Sequence, residues 1–497
     1  MCLARFSHIG GAHVQHQKLT AESSIVKMDI PGKVVIPMIQ HVGVPCGPLV
    51  KKGDEVKVGQ VIGDTGNYVS APVHSSVSGV VTRVGPAMHP GGGREESVEI
   101  ETDGLQAIHE DVAPPEFEGK DGLFRIVRAS GLVGLGGAGF PTHVKLNAPK
   151  DKNIDALIIN GAECEPYITS DYRSMIENPS NIIEGINIVK TVLGIKHVYI
   201  GIEDNKPGAV KAMSSAAEKE DGVNVVVLSS IYPQGAEKTL IYSCTGRRVP
   251  PGKLPMDVGA LVLNVNTVAM IATYAKTGMP LVNKVVTISG GAVMNPMNVE
   301  VPIGTLLKDV FEFCGGFKCS AQKVLMGGPM TGIAQHSLDV PIIKNTNAVL
   351  AFDGKEAVVH KETACIRCGR CARSCPMHLM PMHIDLAALK ADAERLEAFR
   401  VIACFECGVC AYVCPARRRI VQAARLGKSI LRETWAKEKG QAQAKEKGSA
   451  QAKEKGPAQA KEKGPAQVQA QVQVQGLEQG RQVEGLQDRK GGGKNGQ

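Results

Sequence analysis

No stretch of this sequence reaches the ~18–20 consecutive apolar residues needed to cross a bilayer. The nearest, 260–275, carries Asn264, Asn266, Thr267 and Thr273, which are costly in lipid without partners. Any membrane association is therefore expected to be peripheral. Residues 1–11 lack the apolar core of about 7–15 residues that precedes a secretory cleavage site, so no export signal is expected. Aromatic residues are scarce, 4% with a single Trp, while Gly (56) and Pro (28) are plentiful among 497 residues, which reads as turn-rich α/β or β architecture. At about 150 residues per domain the length implies roughly three folded units.

A uniform basic character is also missing. The net charge is +8, but residues 436–497 hold twelve Lys and Arg against seven Asp and Glu, and residues 360–435 hold thirteen against seven. The first 359 residues are therefore slightly acidic. That distribution argues against nucleic acid as the partner and points to a local docking surface near the C-terminal third. Cysteine is equally uneven, with eight of the fourteen lying between Cys365 and Cys414. A secreted disulfide scaffold would be short and Cys-dense throughout; concentration at ligand spacing instead suggests a reducing compartment.

Four folded units are expected. Residues 1–115 contain short strands between glycines, with a Val50-Lys-Lys-Gly-Asp-Glu-Val-Lys-Val-Gly-Gln-Val-Ile-Gly63 stretch. The stretch resembles the half-barrels of biotinyl and lipoyl carrier domains. The carrier's hairpin tip would be Ser70-Ala71-Pro72-Val73-His74-Ser75-Ser76, which has no Lys, so a structural role is favoured over covalent cofactor attachment. Residues 116–280 alternate helical segments with short apolar runs at 156–159, 197–200 and 224–228, the pattern of an open, mostly parallel α/β sheet. Residues 281–335 read as a small β-grasp insert, and 336–435 as a helical cysteine-bearing module. From 436 to 497 an eight-residue repeat, Ala-Lys-Glu-Lys-Gly-(Gln/Ser/Pro)-Ala-Gln, and a Gln/Val/Gly-rich run predict a disordered tail.

The cysteines fall in two equivalent runs: Cys365-x2-Cys368-x2-Cys371-x3-Cys375-Pro376 and Cys404-x2-Cys407-x2-Cys410-x3-Cys414-Pro415. Both have the bacterial ferredoxin spacing for cubane iron–sulfur clusters, in which the fourth Cys of each run ligates the other cluster. One [4Fe-4S] cluster is thus expected on Cys365, Cys368, Cys371 and Cys414, and a second on Cys404, Cys407, Cys410 and Cys375. Zinc ribbons use two CxxC pairs per metal and fit this spacing poorly. The following Arg417-Arg418-Arg419 reads either as a solvated face or as a docking patch.

The second constellation is the loop Gly131-Leu-Val-Gly134-Leu-Gly136-Gly137-Ala138-Gly139-Phe140-Pro141, with Lys145 beyond it. Such a loop lets backbone N–H groups approach a phosphate, and Lys145 adds a point charge. Asn160-Gly161-Ala162-Glu163-Cys164-Glu165-Pro166 follows the 156–159 strand, at the end where α/β sheets bind ligands. Glu237, Asn264 and Thr267 lie in companion motifs.

In this order the motifs resemble the NADH-binding flavoprotein subunit of respiratory complex I over residues 121–330. With the two-cluster module behind and the carrier-like barrel in front, residues 1–432 are similar to the RnfC family, peripheral subunits of Rnf ion-translocating ferredoxin:NAD oxidoreductases. The resemblance implies FMN contacts from Gly134, Gly136, Gly137, Gly139, Lys145, Asn160, Glu163, Glu237, Asn264 and Thr267. It implies Glu165 and Phe140 facing NAD(H), and electron relay through two [4Fe-4S] clusters to membrane subunits or ferredoxin on the cytoplasmic face of the membrane. Complex I has aromatics just after the loop Lys where Leu146 and Asn147 stand here. Two rivals are a cobalamin reductase, whose domain order differs, and an iron–sulfur scaffold without a flavin site.

Overall fold

In the computed structural model the described residues are 2–3, 10–149 and 151–454, with side chains described for 10–149 and 151–440. The segment 4–9 and the repeats from 455 onward lie outside them. Residues up to Trp435 form one compact unit.

The α/β layer is a five-stranded parallel sheet in the order Cys2–Leu3, Val223–Leu228, His197–Glu203, Ala156–Asn160, Ala260–Asn264. The apolar runs are strands because both faces are covered: Leu157, Ile158, Ile159, Val198 and Ile200 are all fully buried. Successive strands step away from Ala156–Asn160 in one direction until Ala260–Asn264 adds to its other side. That reversal opens a crevice at the carboxyl ends of these two strands, where Asn160 and Asn264 are register partners. Helices Pro179–Leu193 and Val265–Thr277 pack closely on one face. Gly185 permits this, since a Cβ there would run into the Val268 carbonyl oxygen.

The barrel is two small antiparallel sheets around Val34, Ile36, Ile62, Val73, Val81, Val98 and Ile100. Its carrier-like tip is not a free arm. Ser70, Ala71, Val73, Ser75 and Ser76 are buried, Ser76 donates to the Ile303 carbonyl at 2.5 Å, and Lys344 Nζ donates to the Pro72 carbonyl at 2.5 Å and the Gly131 carbonyl at 2.7 Å. Gly131 has φ +67°, and a Cβ there would meet the Pro72 carbonyl at 2.6 Å. The tip that carrier domains expose is here plugged between the glycine loop and the β-grasp unit.

The β-grasp sheet has six strands, ordered Ile333–Gln335, Lys323–Met326, Ala348–Phe352, Asn283–Ser289, Met297–Pro302, Ile25–Lys27. The boundary expected at 335 falls inside this sheet, because Ala348–Phe352 fills its middle and is buried at every residue. Its outermost strand comes from ahead of the barrel. Both additions are non-local pairings that no window of sequence can display.

Between its two cysteine runs the module carries helices Pro381–Leu389 and Ala393–Ala398; Lys390 ends the first and Asp392 caps the second by accepting from Arg395 N–H at 3.0 Å. Ile384, Leu396, Val401, Ala424 and Leu431 form its core. Helix Ile420–Glu454 continues into the repeats. Among the described residues the tail therefore begins as helix: Ala, Lys and Glu are good helix formers that outweigh single glycines, and the first proline is Pro457.

Candidate functional site

The glycine loop lies against the switch-point crevice. Gly134 N–H donates to the Phe140 carbonyl at 2.9 Å, closing the loop at its base. Gly136, Gly137 and Ala138 are exposed at its tip. Gly136 sits on Asn264, leaving no room for a side chain: a Cβ there would lie 2.7 Å from Asn264 Nδ2. Leu135 N–H donates to Thr267 Oγ1 at 3.1 Å, which anchors the loop to helix Val265–Thr277. From outside, Asn345 Nδ2 donates to the Gly137 carbonyl at 3.1 Å and Val42 N–H to the Gly139 carbonyl at 3.2 Å. Phe140 is 37% exposed beside it.

Lys145, in the short helix Thr142–Leu146, pairs with Glu237 at 2.7 Å; Glu237 opens helix Glu237–Thr245. Both groups are partly exposed. Asn160 Nδ2 donates to the Gly235 carbonyl at 2.9 Å, and its Oδ1 accepts from Ala162 N–H at 3.2 Å. Asn264 caps its helix by accepting from Asn266 N–H, and its Nδ2 donates to Asp171 Oδ2 at 2.7 Å. Glu163 stands at φ +47°, and its carboxylate accepts from Asp171 N–H at 2.6 Å and Tyr172 N–H at 3.2 Å at the start of helix Ser170–Glu177. Burial pushes this carboxyl up while Lys18 holds it down. Glu165 accepts from Met330 N–H at 3.0 Å and Thr331 Oγ1 at 2.5 Å, and burial raises its pKa.

The contacts bring Gly136, Lys145, Asn160, Glu163, Glu237, Asn264 and Thr267 together at the carboxyl ends of these strands, with Phe140 on the loop and Glu165 on the adjoining turn, but divide their work. Gly136 and Gly137 are exposed and the Lys145–Glu237 pair is partly so, Gly134 and Gly139 lie at the closed base of the loop, and Asn160, Glu163, Asn264 and Thr267 use their side chains largely on the crevice walls. Glu165 turns toward the loop 328–331 of the β-grasp unit. Sequence reading missed Asp171, which holds the amides of both Asn264 and Asn266, and the outer supports Val42, Asn345 and Lys344, the last with its N–H donating to Gln40 Oε1 at 3.1 Å. No motif marks these.

The crevice fits FMN on its own features. It combines backbone N–H groups in an open glycine loop, a cation at Lys145, and the buried Gln234 Oε1, which has no partner. It lies at the carboxyl edge of a parallel sheet.

The cysteines converge on two cavities of similar size. One is lined by Cys365, Cys368, Cys371 and Cys414, the other by Cys375, Cys404, Cys407 and Cys410. The crossed sets follow from the fold: each run turns through its first three Cys into a short helix, Arg370–Arg373 or Val409–Tyr412, that carries its fourth Cys across to the other run. The runs are local copies. Arg367 and Glu406 both have positive φ and direct their N–H to the sulfurs of Cys365 and Cys404 at 3.4 Å, and Gly369 and Gly408 start the helices in the left-handed region. Among the described residues no three His, Cys, Asp or Glu groups stand at the spacing of a single ion. In each set the thiols surround a cavity, which fits a cubane cluster.

The two cavities differ in setting. Cys407 is pushed up to about 12 by burial, and Cys404 and Cys410 are raised for the same reason. Tyr232 Oη donates to the Cys407 carbonyl at 2.7 Å, and Val14, Tyr232 and Val409 are buried together with Cys164, Met330 and Cys407 at their edge. The other cavity has the exposed Cys368 and abuts a surface groove lined by Arg370, Arg373, Tyr412 and Arg417. Of the arginine run, Arg418 is internal, paired with Asp385 at 2.8 Å and Glu362 at 2.6 Å. Arg417 faces the groove.

Known proteins match each part in the same order. Residues 6–105 match the RnfC barrel sandwich hybrid domain, 127–273 the Nuo51 FMN-binding domain, 285–334 the SLBB domain, and 357–415 the 4Fe-4S dicluster domain. A polypeptide of the proton-translocating ferredoxin:NAD(+) oxidoreductase complex of Clostridium ljungdahlii is 47% identical over 438 residues, 87% of this chain and 95% of that one.

The chain belongs to the RnfC family.

The corresponding polypeptide of the Na(+)-translocating ferredoxin:NAD(+) oxidoreductase complex of Acetobacterium woodii is 43% identical over 84% of this chain and 96% of its own, and that of the ion-translocating oxidoreductase complex of Rhodobacter capsulatus 37% over 79% and 77%. As an RnfC-family protein the chain is an electron-transfer subunit with an FMN-binding domain and a two-[4Fe-4S] domain. Among the described residues no helix is long and apolar enough to cross a membrane.

Proposed function

We propose that this RnfC-family chain is the NAD(H)-facing subunit of a membrane-bound, ion-translocating ferredoxin:NAD oxidoreductase, attached peripherally at the cytoplasmic face. The observation that carries the reading is the placement of the two cysteine cavities: one buried against Tyr232 and the nucleotide domain, the other beside a surface groove of arginines. This gives a relay with one end at the crevice and the other at a docking surface. The overall exchange is NADH + two oxidised clusters ⇌ NAD+ + H+ + two reduced clusters. FMN, when bound, supplies the change from hydride to single-electron chemistry.

The chain's residues orient that exchange. The backbone of Gly134, Gly136, Gly137 and Gly139, together with Lys145, holds the phosphate end, with Glu237 fixing the ammonium. Asn160, Glu163, Asn264 and Thr267 fix the walls. Phe140 and the Glu165 turn face NAD(H). Cys375, Cys404, Cys407 and Cys410 would hold the cluster on the crevice side, and Cys365, Cys368, Cys371 and Cys414 the one beside Arg370, Arg373 and Arg417, where an acidic surface of a membrane protein of the complex would dock; the clusters would supply one-electron carriers between the two ends.

The test is anaerobic purification followed by iron, FMN and NADH assays. The reading expects about eight iron per chain, noncovalent FMN, and flavin bleaching by NADH. Iron without FMN or bleaching leaves only a scaffold. Glu165→Gln is expected to impair NADH oxidation while cluster spectra persist; loss of the clusters instead would count against the assigned role.

A further inference from the structure

The arm ahead of the barrel belongs to neither the barrel nor the crevice, yet residues 10–20 run past both the second cysteine cavity and the Glu163–Glu165 turn. At one end Gly11 N–H donates to the Ser374 carbonyl at 2.8 Å. Gly10, at φ +75°, lies so close that a Cβ would meet the Cys375 carbonyl at 3.0 Å. Next, Ala12 and Tyr232 exchange backbone hydrogen bonds at 2.9 and 3.0 Å, and Val14 is buried with Tyr232 and Val409. The His16 carbonyl then accepts from Tyr167 N–H at 2.9 Å. At the far end Lys18 Nζ donates to the carbonyls of Glu163 at 2.8 Å, Glu165 at 2.9 Å and Ile168 at 2.6 Å.

That last contact is specific chemistry. Three carbonyl oxygens converging on one point repel one another, and an ammonium, with three donors and no acceptor, satisfies all three. The turn they belong to holds two non-glycine residues in the left-handed region, Glu163 at φ +47° and Tyr167 at φ +70°. Such conformations persist only where surrounding contacts over-determine them. Lys18 is one of these contacts, beside the Asp171 and Tyr172 N–H groups on the Glu163 carboxylate and the His16 carbonyl on Tyr167 N–H, and the same eleven residues grip the loop that delivers Cys375.

We propose that Lys18 and its arm form a positioning strap, which holds the Glu163–Glu165 turn at a fixed separation from the Cys375 loop so that electrons pass between the crevice and the second cluster. This rests on the function proposed above. Lys18 touches no reacting atom; it acts through the turn.

The test uses the holoprotein, reduced with dithionite, freed of reductant and mixed with NAD+, in which two reduced clusters, NAD+ and H+ yield two oxidised clusters and NADH. In Lys18→Ala, cluster reoxidation is expected to slow by about tenfold or more, since misplacement on the ångström scale costs that much. NADH–ferricyanide turnover, which needs only the crevice, is expected to move by no more than about twofold. Added propylammonium is expected to restore part of the lost rate. Equal slowing of both reactions, or slowing of neither, overturns the proposal.

Should Lys18→Ala fail to fold, Gly10→Ala probes the other end with Lys18 in place. It is expected to alter the paramagnetic resonance signal of the second cluster, leave that of the first, and slow the same reoxidation; unchanged signal and rate overturn the strap. If the unmodified protein itself shows no reoxidation by NAD+, the functional reading fails, and the Gly10→Ala signal alone decides the strap.

Discussion

Replacing Lys344 by Met separates what a buried charge does for stability from what it does for geometry. Burial pushes the Lys344 ammonium down from 10.5 to about 8. A depression of that size means that the charged form is disfavoured in the folded protein by about 3 kcal/mol. Against this, its two hydrogen bonds hold the Pro72 and Gly131 carbonyls, and leaving such groups unmet costs about 1–3 kcal/mol each. The opposing effects are of similar size, so Lys344→Met is expected to change overall stability by no more than about 2 kcal/mol at pH 7.

The sign with pH is definite. Below about pH 8 the folded protein carries the full burial penalty. Between there and 10.5 the unfolded chain still binds the proton that the folded one has released, so native stability rises with pH relative to the Met variant. The glycine loop behaves differently, because Lys344 pins its first residue to the barrel. The variant is expected to lose FMN affinity by about tenfold, equivalent to about 1.4 kcal/mol. The assays are urea unfolding from pH 7 to 10 and quenching of FMN fluorescence. A stability difference flat with pH, together with unaltered FMN affinity, would refute the reasoning.

Cys375→Ser is expected to remove the signal of the second cluster and about half of the iron while the first cluster survives; loss of the first instead would mean that each run serves its own cluster. Gly185→Ala forces a methyl against the Val268 carbonyl, and a cost of about 3 kcal/mol is expected in thermal unfolding, with no loss meaning that the helices separate freely. Charge reversal at Arg370 and Arg373 is expected to weaken co-purification with the membrane subunits, most strongly at low salt, with NADH–ferricyanide turnover retained; unaffected assembly would place the docking surface elsewhere.

The two cysteine runs were legible because the first three cysteines of each lie within one turn. A CxxCxxC turn must place its own three sulfurs, and the duplicated run shows in the matching left-handed backbone at Arg367 and Glu406. The glycine loop and the strand end at Asn160 were legible for the same reason, since close backbone approach and parallel-strand burial leave marks within a few residues. What Asn264 and Thr267 do with their side chains was not, because each is fixed by a partner far along the chain, Asp171 or the amide of Leu135, while Glu163 turns onto the N–H groups of Asp171 and Tyr172 through a left-handed backbone that no motif marks. The strand Ala348–Phe352, which completes the β-grasp sheet from beyond the expected boundary at 335, was not legible either, because its pairing is non-local.

The sequence by itself therefore determined the chemistry this chain can hold: two cubanes, a flavin-type glycine loop and a carrier-like barrel with no lysine to modify. Only the tertiary structure decided how these are joined. It buries the barrel tip under Lys344, draws the N-terminal arm from Cys375 to Glu163, and leaves one cluster cavity inside and the other beside the arginines. Ligand spacing follows from covalent reach along a few residues, whereas which cavity is buried depends on packing between segments hundreds of residues apart, and composition does not encode that.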